Sequence, residues 1–248
     1  MEHSNEFYLQ VELLLNDRYW DWRRTIDVIE LIIAKINKFV KKWNFNRYQE
    51  PGKPLYVVLR FNIGIKDRDK IEEVLKNFKH DGIIVNFKLY DKPWKEPYFV
   101  IIAHELATQS ALRFKHMVDK SKDLLSITES QVDLHRVISF FYCLMRYVLV
   151  QLNFRAPRLW EYERHSFVSS QKVSEIAKLC IPPRTKELLR KIKVQDRGSF
   201  LERYIHCFFN CIGRQTIIIN NKTIYLENIV KGMLLDSILW EWMALSNH

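Results

Sequence analysis

The sequence predicts an α+β fold: a ferredoxin-like small sheet with a long helix, then a mainly helical second half carrying a β-hairpin. Three observations predict it. Short segments in the first ninety residues alternate apolar and polar positions, as half-buried strands do. A long stripe of apolar residues at helical spacing lies between the first two. Beyond Pro97 the alternation gives way to helical spacing until Asn220-Asn221, a two-residue turn signal between short β-prone runs.

In order, Tyr8–Leu15 places Leu9, Val11, Leu13 and Leu15 on one side and Gln10 and Glu12 on the other. From Asp21 to Trp43 the residues Trp22, Ile26, Ile29, Ile33, Ile36, Val40 and Trp43 step by fours and threes, which predicts one long amphipathic helix. Gln49–Pro54 is a turn. Leu55–Ile63 alternates with Leu55, Val57, Leu59, Phe61 and Ile63 inward and Tyr56, Val58, Arg60 and Asn62 opposite. Asp67–Phe78 is a short helix. Ile83–Tyr90 is a third strand, with Val85, Phe87 and Leu89 inward and Asn86, Lys88 and Tyr90 on the other face. The second face of this sheet is polar, as a solvated face would be.

After a linker with Pro93 and Pro97, helices are expected over Phe99–Met117, Asp133–Leu152, Val168–Leu179 and Pro182–Lys191. Ser199–Gly213 reads as a further helix, with Ser199 and Glu202 as a capping box and Gly213 as a left-handed stop. Arg203, His206 and Asn210 share one strip of it, and Phe200, Tyr204, Phe208 and Ile212 another. Ile217–Ile219 and Thr223–Tyr225 form the hairpin, and Leu226–Leu245 closes the chain as a helix. The whole is expected to be a single domain with an α/β sheet lobe over 1–95 and a helical lobe over 96–248.

The 248 residues carry a net charge of +10, which favours an acidic partner. No signal peptide is read at the N-terminus, and the longest apolar run, near Ile138–Met145, is interrupted by Arg136 and Arg146. The four cysteines, Cys143, Cys180, Cys207 and Cys211, are too sparse for a disulfide framework, so a cytoplasmic setting is expected. His104-Glu105 opens like a zinc-protease helix, but Thr108 stands where the second histidine is needed. Cys207 and Cys211 lack a second ligand pair, and no glycine-rich phosphate loop or serine nucleophile elbow is present. No metal or cofactor is expected.

Four stretches, taken in order, carry a resemblance. They are Arg47-Tyr48-Gln49-Glu50-Pro51 leading to Tyr56–Phe61, then Gly82–Tyr90, then Ala103–Ser110, then Tyr204–Gly213. This order resembles the C-terminal elimination domain of lantibiotic dehydratases, which also occurs as separate proteins in thiopeptide biosynthesis. The likeness runs from about residue 7 to 245. In the dehydratases the domain removes glutamate from glutamylated Ser and Thr, using arginines to hold the carboxylate and a histidine for proton transfer. Here Val58 stands in place of the first strand arginine, Arg60 remains, Gln109 replaces the aspartate before Ser110, and Cys211 replaces the arginine after Asn210. Lost guanidinium groups weaken bidentate carboxylate recognition, so glutamate elimination fits less well.

The resemblance to stand-alone thiopeptide pyridine synthases implies instead a macrocyclase. Such an enzyme joins two dehydroalanines of a precursor peptide by formal aza-[4+2] cycloaddition, with loss of water and leader peptide and no cofactor. The catalytic group implied is His206, Arg60, Ser110 and Tyr90, with Tyr56, Asn62, Lys88, Glu105, Arg203 and Asn210 holding substrate. The site is expected between the sheet's polar face and the helices at His104–Ser110 and Ser199–Gly213. The partner is a dehydrated, azole-bearing peptide with an acidic leader, made by other enzymes of the same pathway. Two alternatives stay open: a glutamate-elimination subunit of a split dehydratase, and a basic module that binds peptide or nucleic acid without chemistry. A membrane partner is not expected, and the spread of Lys and Arg along the chain ranks nucleic acid last.

Overall fold

The computed structural model describes residues 7–48, 54–91, 96–120, 178–213, 216–219 and 222–232. The chain forms two compact units, Met1–Pro97 with Asn210–Gly213, and Tyr98–Phe209 with Arg214–His248.

The first unit runs β1 (Phe7–Leu15), α1 (Trp22–Ile36), β2 (Val40–Tyr48), β3 (Tyr56–Ile63), α2 (Arg68–His80) and β4 (Ile84–Asp91). The sheet order is β2-β3-β1-β4, with every neighbouring pair antiparallel. This is the β-α-β-β-α-β arrangement of ferredoxin-like folds. Leu9, Val11 and Leu13 of β1 and Leu59 and Phe61 of β3 are fully buried, as are Ile26, Ile29 and Ile32 of α1 and Leu75 of α2. Strand alternation and helical stripe thus meet in one apolar layer.

The sheet has a strand that the sequence reading took for helix. Asp21 caps α1 by accepting from the Arg23 and Arg24 amides, but the helix ends at Ile36, not Trp43. Val40–Tyr48 pairs with β3 instead. Val40 and Trp43 fit the helical spacing by coincidence. The Trp43-Asn44-Phe45-Asn46 alternation obeys the strand period, and the ladder along β3 decides in its favour. Val85 is a second correction: it is 50% exposed, not inward. Leu14 faces Asn86 while Leu15 faces Ile84, so β4 carries one extra residue there and Ile84 takes the buried place.

Arg47 ties β2 to the start of α1. Its Nε donates to Thr25 Oγ1 at 3.4 Å and its Nη2 to the Trp20 carbonyl. Gly213 closes over the same guanidinium: its φ of 73° is left-handed, and a Cβ there would run into Arg47 Nη1. Cys211 Sγ donates to the Phe45 carbonyl at 3.2 Å. Burial pulls the Arg47 guanidinium down to about 10, against the attraction of Asp21, so it stays charged at neutral pH.

The second unit contains α3 (Tyr98–Lys120), α4 (Thr185–Leu189) and α5 (Arg197–Cys211), whose last turn groups with the sheet unit. The hairpin strands β5 (Thr216–Ile219) and β6 (Lys222–Tyr225) pair with Ile219 opposite Lys222, and residues 226–232 are helical. Helix α5 starts at Arg197 after a 3-10 turn at Val194–Asp196. Ser199 therefore lies inside its first turn and does not cap it. The preceding 3-10 turn already bends the backbone into helical geometry, so no side-chain cap is needed at Ser199. The expected helix Asp133–Leu152, most of Val168–Leu179, most of the turn at Gln49–Pro54, the Asn220-Asn221 turn and the end of the closing helix fall outside the described residues. Among the described residues no helix is long and apolar enough to cross a membrane.

Candidate functional site

Helix α5 is amphipathic in an unusual sense, because much of its circumference is buried. Phe200, Tyr204, Phe208 and Phe209 are each at most 1% exposed. Within the second unit, Phe208 lies 6.1 Å from Phe114 of α3, ring centre to ring centre. This packing fixes the helix rotation and so the direction of every polar side chain on it.

His206 sits on that fixed frame with its side chain 32% exposed. Its Nδ1 lies 2.9 Å from Oε1 of Glu227, a buried residue of the helical stretch 226–232. Lys231, one turn further, places Nζ 2.9 Å from the same Oε1 and 3.8 Å from Glu202 of α5. Burial raises the Glu227 carboxyl, but the hydrogen bonds and charges of His206 and Lys231 outweigh it and hold the group below its ordinary value. Glu227 and Lys231, which no sequence motif singles out, lie beside His206 here. Arg203, on the same side of α5, is exposed.

Two further pairs link α3 to α5 inside this unit. Ser110 Oγ and Tyr204 Oη share a buried hydrogen bond of 2.8 Å. Ser110 thus bonds across the helices and not within its own turn. His104 Nδ1 lies 3.3 Å from Cys207 Sγ, with both residues buried. Glu105 is half-buried beside them on α3. Cys207 meets an imidazole and Cys211 a carbonyl, so the two thiols do not converge. Among the described residues no group of three or more His, Cys, Asp or Glu side chains is placed to hold a metal ion.

The other candidates lie on the sheet face opposite α1 and α2. The ladder sets Asn44, Arg60, Gln10 and Tyr90 in one row across β2, β3, β1 and β4, and Asn46, Val58, Glu12 and Lys88 in the next. Tyr56 stacks on Tyr48 at 5.1 Å. Tyr90 Oη donates to Glu12 Oε2 at 3.1 Å, and Gln10 Nε2 donates to Glu12 Oε1 at 3.4 Å. Burial, then the bond to Glu12, pushes the Tyr90 phenol above its ordinary value.

This face is not the solvated surface its polarity suggests. Asn44, Asn46 and Asn62 are 3%, 0% and 2% exposed, and Val58 is 4% exposed. Asn44 Oδ1 and Asn62 Nδ2 are buried with no hydrogen-bond partner. A buried polar atom without a partner costs about 1–3 kcal/mol, so these two amides have a free hydrogen-bonding position to offer a water or a ligand. Lys88 is exposed and Arg60 half-buried.

The predicted site residues therefore fall into two groups. Arg60, Tyr90, Tyr56, Asn62 and Lys88 share the sheet face of the first unit, while His206, Ser110, Glu105 and Arg203 belong to the second. Asn210 is buried at the end of α5, in the part grouped with the sheet, and Glu227 is a hydrogen-bond partner of His206.

Comparison with known proteins places the fold. No protein-family model matches the sequence, and no curated protein does. Among solved structures, the chain is similar to the tRNA-dependent lantibiotic dehydratase MibB from Microbispora sp. 107891, at 12% sequence identity and a TM-score of 0.51. The match covers 100% of this chain and 29% of MibB, so the chain spans under a third of that protein's length. What the two share, at this identity, is a fold.

Proposed function

We propose that the chain is an enzyme of ribosomal-peptide modification: a pyridine-forming cyclase that joins two dehydroalanines of a precursor peptide. The observation that carries this reading is the row Asn46, Val58 and Glu12 beside Arg60 on the polar sheet face. A glutamate-eliminating site needs convergent guanidinium groups to hold a departing carboxylate. Here a valine and a carboxylate occupy the neighbouring positions, and Arg47 is spent on Trp20 and Thr25. The amides of Asn44, Asn46, Asn62 and Gln10 suit a different ligand, the neutral amide groups of a peptide.

The cyclase reaction asks little else of a protein. One amide takes its iminol form, giving a 2-azadiene, C(OH)=N–C=CH2, whose two terminal carbons add across the second alkene with two new C–C bonds. Water is then lost, and the leader leaves as its carboxamide, which makes the ring aromatic. Holding both alkenes together supplies up to roughly 7–11 kcal/mol of barrier lowering by proximity. His206 moves the proton that iminol formation and the eliminations require, a service worth about 10²–10⁴-fold. Arg60 and the amide row hold the peptide carbonyls, and Ser110 acts through Tyr204. The net charge of +10 supports an acidic leader as the binding handle.

The test is incubation of the purified chain with a leader-bearing peptide containing two dehydroalanines. Loss of water plus leader with a new pyridine absorbance supports the cyclase, and an unchanged peptide removes it for that substrate. Loss of glutamate from a glutamylated peptide would replace it with the eliminase.

A further inference from the structure

We infer that Glu227 is a positioning residue that holds His206 in one tautomer, with the proton on Nδ1 and the lone pair on Nε2. The inference deepens the proposed role of His206 as proton shuttle, and its catalytic half rests on that reading; its structural half does not. Glu227 lies 21 residues after His206, and the β5–β6 hairpin returns the chain so that the carboxylate comes within 2.9 Å of Nδ1. Lys231 approaches the same Oε1 at 2.9 Å, and an ammonium group has only protons to offer. The oxygen is thereby kept as an acceptor, so the imidazole must supply the hydrogen of the His206–Glu227 bond. The charge-assisted bond is strong because Glu227 is 7% exposed. Among the described residues, Glu227 and Lys231 on the closing helix and Glu202 on α5 are linked to this bond in one chain of charges, and Arg203 is exposed on the same side of α5. A carboxylate behind the imidazole is the arrangement by which hydrolytic triads fix a general base.

The chain, labelled with ¹⁵N-histidine, reports the tautomer directly, and His206→Gln assigns the resonance among the eight histidines. The expected spectrum shows a protonated Nδ1 and a bare Nε2 for neutral His206. Glu227→Leu removes the acceptor and should lose that pattern, whereas Glu227→Gln keeps a carbonyl oxygen in place and should retain it. A wild-type proton on Nε2, or a pattern unmoved in Glu227→Leu, overturns the inference. If Glu227→Leu fails to fold, the wild-type and Glu227→Gln spectra still decide. In turnover, Glu227→Leu should lower kcat about 10²-fold with KM held, and Glu227→Gln should restore most of it. An unchanged kcat in Glu227→Leu also overturns it. Should the wild type not convert the bis-dehydroalanine peptide at all, the cyclase reading falls, and the tautomer still judges Glu227.

Discussion

The two faces of the four-stranded sheet are built from the same strands, alternate residue by alternate residue, and each has a buried part. On one, Leu9, Val11, Leu13, Leu59 and Phe61 pack beneath two amphipathic helices. On the other, Asn44, Asn46 and Asn62 are at most 3% exposed, and among the described residues Asn44 Oδ1 and Asn62 Nδ2 have no partner. Apolar burial favours folding, while burial of an unsatisfied amide opposes it. The first face is therefore what makes the fold stable, and the second adds little to stability, which suits the substrate-holding role proposed for it.

Phe61 and Asn62 are neighbours on β3 that point to opposite faces, and they give the sharpest way to break this contrast. Phe61→Ala should destabilise by about 3–5 kcal/mol in urea unfolding, because the packed layer cannot collapse around the cavity. Arg47→Leu should lose roughly 3 kcal/mol by the same measurement, since it removes the charged bonds to Trp20 and Thr25 and unseats Gly213. Asn62→Leu, by contrast, should shift stability by less than about 1 kcal/mol in either direction, because the lost amide had an unsatisfied donor. Its effect should be read in peptide turnover. A large stability loss at Asn62 would mean that the polar face is ordinary core.

The smallest effect expected is on acid stability. Glu227 has a lowered pKa in the folded chain, so its ionised form stabilises the fold above the ordinary glutamate value of about 4.3. That contribution is lost as pH falls through the lower folded value. Glu227→Gln should flatten the stability–pH curve below about pH 4.3.

How much of this was written legibly in the chain differs between the two faces as well. The apolar layer declares itself by period, since Leu9 to Leu15 and Leu55 to Ile63 alternate without interruption. Strand β2 was hidden because Ile36, Val40 and Trp43 satisfy the helical spacing while Trp43 to Asn46 satisfy the strand spacing; only pairing with β3 separates them. The bulge at Val85 leaves no mark in the sequence, because a one-residue slip is set by the partner strand. His206 could be found from its motif. Glu227 could not, since its only local sign is a Glu–Lys pair four apart, which reads as surface decoration on a helix. Its meaning comes from the hairpin that carries it back to α5.

The cyclase reading is tested most directly by one assay, the conversion of a leader-bearing bis-dehydroalanine peptide by wild type and His206→Ala, followed by mass spectrometry. Wild type should release water and leader and leave a pyridine-centred ring, and His206→Ala should slow that step by about 10²-fold or more. Equal rates for the two proteins would contradict His206 as the proton carrier. Release of glutamate from a glutamylated peptide, with the bis-dehydroalanine peptide untouched, would contradict the cyclase itself.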